Sequence, residues 1–336
     1  MRKLPSAFCM KADTLDMLFT PQELAALKDL VDLRFSTPLE TFTQASPAEL
    51  ASLEMLITGW GAPALDQPAL DLMPNLRYVV HTAGTVKTFI DDLAFARGIE
   101  VSSAAAANAV PVAEYTLACI IFGLKRATRF AARLRSTESS APFRDLDGVP
   151  PVGTHRVVIG LVGASQVGRR VVALLKNLDV QILVYDPYLT DHDAEALGVE
   201  RVGLLELCAR SAVVSLHAPA SPATYRMIGS EQLSAMANGT VLVNTARGSL
   251  VDTVALTAEL LAGRLDAFLD VTDPEPLPRT SPLFELPNVF LTPHIAGALG
   301  NEVERLGRQA FSEVERIMAG LPLQYPVVAD DLSRIA

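Results

Sequence analysis

The sequence predicts an α/β protein built of two doubly wound parallel-sheet domains. Short apolar runs recur along the chain, each ending in small residues and separated by helically spaced stretches. A loop with Pro, Gly and Ser at 136–153 divides this alternation into two blocks. A glycine turn, Gly163-Ala-Ser-Gln-Val-Gly168, follows the first apolar run of the second block.

The totals fit that architecture. A chain of 336 residues suits two domains better than one. Half of the residues are hydrophobic and 20% are charged, so a large core is available. A net charge of −10 argues against nucleic acid and anionic membranes as partners, although a local basic site could still hold a small anion. The three cysteines, Cys9, Cys119 and Cys208, are scattered and form no CxxC pair. They read as reduced core residues, and no metal site is expected. Lys11, Asp13 and Asp16 interrupt the N-terminal apolar residues, so no signal peptide is expected. The longest uncharged apolar stretch, Tyr115 to Leu124, is too short to span a bilayer. The expectation is a cytoplasmic protein.

In the first block, Leu56-Ile57-Thr58 precedes Gly59-Trp60-Gly61, and Leu76 to Val80 precedes His81-Thr82-Ala83-Gly84. Each reads as a strand delivering a small-residue loop. Val112 to Arg135 has helical spacing and collects Lys125, Arg126, Arg129, Arg133 and Arg135 near its end, as a solvated helix C-terminus would. Six strand-like pieces follow: Val157–Val162, Ile182–Tyr185, Ala212–Leu216, Gly239–Asn244, Ala267–Val271 and Val289–Thr292. The amphipathic stretch Asn301 to Gly320 reads as one helix.

The glycine turn sits between a strand and a helix start. There, backbone N–H groups can meet a pyrophosphate. Ser165 occupies the middle glycine position of the usual pattern, where its hydroxyl could donate to a phosphate oxygen. Asp186 ends the next strand, 18 residues past Gly168. A carboxylate there accepts hydrogen bonds from a ribose diol and repels a 2′-phosphate, which favours NAD over NADP. The loop lies mid-chain, so the long block before it belongs to another domain.

A permanently charged Arg247 at the exit of the apolar run Val241–Val243 needs a partner. Glu275, in Asp273-Pro-Glu-Pro, and His294, in Thr292-Pro-His, emerge at comparable strand ends. Singly, each would be an ordinary loop or core residue. Together on the carboxyl edge of one sheet, beside a nucleotide loop, they suit 2-hydroxyacid oxidation. A guanidinium grips a carboxylate and a carbonyl with paired hydrogen bonds, and an imidazole exchanges the hydroxyl proton. A neighbouring carboxylate fixes the imidazole tautomer, and a nicotinamide carries the hydride.

Five segments, GASQVGRR, VVSLHAP at 213–219, NTARGSLVD, LDVTDPEPLP and LTPHIAG, make the chain resemble the NAD-dependent D-isomer-specific 2-hydroxyacid dehydrogenase family over roughly residues 55–325. The resemblance implies Rossmann-like domains with a cleft between them: a discontinuous substrate domain at 1–103 and 300–336, and a coenzyme domain at 104–299 entered through Asn108 to Glu114. It implies catalysis by Arg247, Glu275 and His294. Beyond Gly163, Ser165 and Gly168, it implies cofactor contacts from Gln166, Val167, Asp186, His217, Pro219, Thr245, Ala246, Asp270 and Gly297, with Asp270 on the nicotinamide carboxamide. Backbone amides of Ala83, Gly84 and Thr85 would join Arg247 on the substrate carboxylate, and a homodimer is expected.

The chain departs from the family pattern at four places. Ser165 replaces a glycine. Val86-Lys87 stand where an acid is often found, so Lys87 is either a solvated lysine or a contact for a second anionic group on the substrate. The stretch 263–271 is one residue shorter, which could displace Asp270. His294 follows Glu275 by only 19 residues, which implies a short connecting segment. Two other functions fit the same residues: an NAD(H)-sensing corepressor-type protein, and a dehydrogenase of formate or phosphite.

Overall fold

The computed structural model describes residues 2–135 and 149–332. Most of the loop expected at 136–153 therefore lies outside the described residues. The chain divides into two compact units, residues 1–108 with 298–336, and residues 109–297. The divisions fall at 108/109 and 297/298, where the sequence reading placed them at 103/104 and 299/300, and the first lies inside the helix Ala105–Leu124.

In chain order the strands are β1 (Pro5–Cys9), β2 (Asp32–Leu33), β3 (Met55–Thr58), β4 (Tyr78–His81) and β5 (Glu100–Ser103) in the first unit. The second unit carries β6 (Val157–Val162), β7 (Val180–Tyr185), β8 (Glu200–Arg201), β9 (Val213–Leu216), β10 (Val241–Asn244), β11 (Asp266–Leu269) and β12 (Val289–Leu291). Strand β13 (Pro326–Val327) returns to the first unit.

The first sheet runs β13-β5-β4-β3-β1-β2, parallel throughout except for β13 against β5. The second runs β12-β11-β10-β9-β6-β7-β8, all parallel. Both are doubly wound: the strand order reverses between β1 and β3 in one and between β6 and β9 in the other. Beyond the carboxyl ends of the strands, these reversals open the crevices where α/β sheets bind ligands. The inner strands are apolar along their length because helices cover both faces.

The N-terminal strand β1 was not anticipated. Ala7, Phe8 and Cys9 are buried there, between β2 and β3, in a segment whose sequence carries no alternation. The helix expected from Val112 to Arg135 is two helices, Ala105–Leu124 and Ala127–Arg135. Arg126 breaks them with a left-handed backbone, φ 54°. Arg126 is not solvated either, being only 3% exposed. Its Nη1 donates to Asp266 Oδ2 at 2.9 Å and its Nε to the Pro151 carbonyl, while Arg129 Nε donates to Asp266 Oδ1 at 2.7 Å. Burial pulls the Arg126 guanidinium below its ordinary range, and the Asp266 charge opposes that pull.

The helix Ala105–Leu124 is long and apolar enough to cross a membrane by length and composition, unlike Tyr115–Leu124 alone. It starts well before the uncharged run because Glu114 sits on its exposed face. Its other face lies in the second core, where Ala113, Cys119, Ile120 and Leu124 pack with Ile159, Val241 and Phe268. All three cysteines are buried and free, and burial pushes each thiol up to about 12.

The helix expected at Asn301–Gly320 spans Val303–Met318 after a short 3-10 turn. A Cβ on Gly307 would stand 1.9 Å from the Leu18 carbonyl oxygen, so glycine is what lets this helix approach the chain at Leu18.

Candidate active site

The site in the second unit grows out of three neighbouring strand ends. Strand β10 ends at Asn244, whose side chain turns the backbone: its Oδ1 accepts from Ala246 N at 3.1 Å and its Nδ2 donates to the Arg247 carbonyl at 2.8 Å. That turn delivers Arg247, half-buried, with Nη1 donating to the Ala246 carbonyl at 2.6 Å. Burial pulls its guanidinium below the ordinary range while the Glu275 charge raises it, so Arg247 and Glu275 sense each other. Gly248 follows because no Cβ fits: it would meet the Thr272 carbonyl at 2.0 Å. The Arg247 loop is thereby pressed against the segment that leads to Glu275.

His294 stands after β12 in a left-handed conformation, φ 58°, rare for a residue other than glycine. Asp270, at the end of β11, holds it there. The His294 amide donates to the Asp270 carbonyl at 2.8 Å. The next two amides, Ile295 and Ala296, donate to the Asp270 carboxylate at 2.8 and 2.9 Å. Thr292 Oγ1 donates to the same carboxylate at 2.7 Å. Three successive N–H groups thus converge on one buried residue. The His294 ring then meets Glu275, with Nδ1 2.8 Å from Oε1. An ionised carboxylate only accepts, so Nδ1 carries the hydrogen and Nε2 is the nitrogen left to exchange a proton. Both side chains are about half exposed, at 50% and 43%.

The short stretch 263–271 does not displace Asp270. Strand β11 pairs with β10 from Asp266 opposite Val241 to Leu269 opposite Asn244, and the Asp270 amide continues the ladder to the Asn244 carbonyl. Asp270 itself is only 3% exposed, and its carboxylate is engaged by loop 292–296.

The glycine turn is tightly packed. A Cβ on Gly163, where φ is 105°, would meet the Ala218 amide at 2.7 Å, and one on Gly168 would stand 2.2 Å from the Gly163 oxygen. Ser165 has an extended backbone that needs no glycine, and its Oγ accepts from Gly168 N at 3.3 Å as the N-cap of the helix Gln166–Leu175. Gln166 and Val167 form that helix's first turn, whose free N–H groups favour an anion. Asp186 ties in the same loop, its Oδ2 accepting from Ala164 N at 2.7 Å and its Oδ1 from Tyr188 N at 2.8 Å. His217 lies beside the turn, its Nε2 3.0 Å from Ser215 Oγ and its buried Nδ1 without a partner among the described residues. Burial pushes it down to about 3, so it is neutral. The Pro219 carbonyl accepts from Thr224 Oγ1, Thr245 Oγ1 lies 2.7 Å from Thr116 Oγ1, and Gly297 is the last residue of this unit. A glycine cradle, a helix N-terminus and a strand-end carboxylate on one loop fit a dinucleotide.

Ala83, Gly84 and Thr85 belong to the first unit, after β4. His81 anchors this loop: its Nδ1 lies 2.9 Å from Thr58 Oγ1, its ring sits 4.7 Å from that of Phe89, and it hydrogen-bonds the Thr85 backbone. Burial pushes His81 down to about 3. Sequence reasoning singled out neither His81 nor the hydroxyls of Tyr115, Thr116 and Thr292. The one available signal was polar residues inside apolar elements.

Residues 117–296, more than half of the chain, match the family described as D-isomer specific 2-hydroxyacid dehydrogenase, NAD binding domain. D-3-phosphoglycerate dehydrogenase of Mycobacterium leprae is 31% identical over 302 residues, which cover 88% of this chain and 55% of that protein. The chain thus spans about half the length of that relative. Glyoxylate reductase of Korarchaeum cryptofilum is 33% identical over 256 residues, covering 76% of each. A phosphoglycerate oxidoreductase from Rhizobium etli shares the fold at a TM-score of 0.81 and 23% identity, over 97% of this chain and 98% of that one. The chain belongs to the D-isomer specific 2-hydroxyacid dehydrogenase family.

Proposed function

We propose that the protein transfers a hydride between NAD(H) and a D-2-hydroxyacid/2-ketoacid pair. The observation that carries this reading is the 2.8 Å contact of His294 with Glu275, electrostatically linked to Arg247, in the unit that bears the dinucleotide loop. The bound nicotinamide supplies or accepts the hydride. Arg247 holds the substrate carboxylate and carbonyl through its forked donors. His294 gives a proton from Nε2 to the carbonyl oxygen in reduction and takes it back in oxidation. Glu275 keeps Nδ1 protonated and the ring aimed. Asp186 would accept from the adenosine ribose, Ser165, Gln166 and Val167 would line the pyrophosphate, and Asp270 would hold the nicotinamide end.

The substrate class follows from relatives named for D-3-phosphoglycerate and glyoxylate, which share a carboxylate beside the reacting carbon. A cytoplasmic homodimer goes with this reading. The exposed Phe122, at 57%, and Leu134, at 74%, on the helices Ala105–Leu124 and Ala127–Arg135 support that reading.

The test is a panel of glyoxylate, pyruvate, hydroxypyruvate and longer 2-ketoacids, each with NADH and with NADPH. Turnover of at least one ketoacid, faster with NADH, is expected. Turnover of formate or phosphite alone would move the assignment to those donors. NADH binding with no turnover of any of them would reject a dehydrogenase.

A further inference from the structure

The helix Ala105–Leu124 carries two neighbouring hydroxyls in an otherwise apolar stretch, and each reaches one of the two loops that present the reactive side chains. Tyr115 Oη lies 2.8 Å from Thr292 Oγ1, although 177 residues separate them. Thr292 has a single hydroxyl hydrogen, and it is given to Asp270. Tyr115 is therefore the donor to Thr292. Burial first, with the Asp270 charge adding to it, holds the phenol up at about 12, so it stays protonated and able to donate. The chain of bonds runs from Tyr115 through Thr292 to Asp270, and Asp270 fixes the left-handed turn of His294.

One residue further along the helix, Thr116 is fully buried, and its Oγ1 lies 2.7 Å from Thr245 Oγ1. Thr245 precedes Arg247 by two residues in the same turn.

We infer that Tyr115 and Thr116 are positioning residues, Tyr115 setting the loop that presents His294 and Thr116 the loop that presents Arg247. The inference rests on the proposed function, because it assigns proton transfer to His294 and carboxylate binding to Arg247. A helix that only filled the core would not separate these two roles. A helix that sets each loop through its own hydroxyl would.

The test is steady-state kinetics of the full chain with its best 2-ketoacid. Tyr115→Phe and Thr292→Val should each lower kcat about tenfold, with KM and NADH affinity within about twofold, since a misplaced acid slows chemistry more than binding. Thr116→Val should raise the ketoacid KM about tenfold with kcat nearly unchanged, as loss of uniform substrate binding does. Thr292→Ser and Thr116→Ser keep the hydroxyls and should restore wild-type values. If Thr116→Val fails to fold, Thr116→Ala breaks the same contact. Equal effects of the 115 and 116 substitutions on one parameter, or no effect of either, would overturn the inference. If the wild-type protein turns over no 2-ketoacid, the functional reading fails separately. The positioning is then read from the His294 imidazole NMR resonances. A shift in Tyr115→Phe and not in Thr116→Val supports it, and no shift in Tyr115→Phe overturns it.

Discussion

His294 Nδ1 and Glu275 Oε1 meet at 2.8 Å across a 19-residue segment that contains a whole strand, β12. The short connection noted in the sequence is therefore sufficient. The pair closes because Asp270 holds the His294 turn from one side and the Arg247 loop packs on Thr272 from the other. Glu275→Gln replaces an acceptor-only group with one that can also donate, which frees the imidazole to take the other tautomer. We expect kcat to fall on the order of 100-fold with NADH affinity unchanged, measured by steady-state kinetics and NADH fluorescence titration.

Arg247→Lys keeps the charge and loses the forked geometry. A lysine cannot donate two parallel bonds to a carboxylate and its neighbouring carbonyl. We expect kcat/KM for the 2-ketoacid to fall about 100-fold, near 3 kcal/mol of transition-state stabilisation. A loss below about threefold would place the carboxylate elsewhere.

His81 and His217 are both buried and pushed down to about 3, so both remain neutral in the folded chain. In the unfolded chain a histidine takes up a proton near pH 6.5. Below that pH the unfolded state binds protons that the folded state refuses, so stability falls as pH falls. The contribution is complete above about pH 6.5 and is lost toward about pH 3, at about 1.4 kcal/mol per pH step for each histidine. At pH 5 each should therefore have lost about 2 kcal/mol relative to pH 7, read from urea midpoints. His81→Gln should flatten this dependence for the first unit.

Much of the architecture was legible because parallel strands buried on both faces leave apolar runs with small-residue exits. The runs at 157–162, 241–244 and 289–291 needed no partner to be recognised. The glycine turn, Asp186 and the Arg, Glu and His residues were legible for the same reason: each sits at such an exit. Arg126 was not, because a basic residue at a helix end resembles a solvated one until its partner is known, and Asp266 lies 140 residues away. The Tyr115 and Thr116 contacts span 177 and 129 residues, so no local spacing could disclose them. Strand β1 was hidden because its burial comes from neighbours in the sheet rather than from alternation in its own residues.

The buried triad of Arg126, Asp266 and Arg129 gives a stability prediction free of the active site. Asp266 is 1% exposed and answers two guanidinium groups. Asp266→Ala leaves Arg126 buried without its carboxylate, and breaking such a pair from one side destabilises by about 3–5 kcal/mol. A urea midpoint within about 0.5 kcal/mol of wild type would show that the triad contributes little.

The central claim is that Arg247, Glu275 and His294 act together on one substrate beside the nicotinamide. Its most direct test is label transfer from NADH carrying deuterium at both C4 positions to the accepted 2-ketoacid, with the product examined by mass and chirality. A D-2-hydroxyacid carrying one deuterium at C2 is expected, formed by the wild-type chain and reduced at least about 100-fold in His294→Ala. An L-product, a product without deuterium, or undiminished transfer in His294→Ala would contradict it.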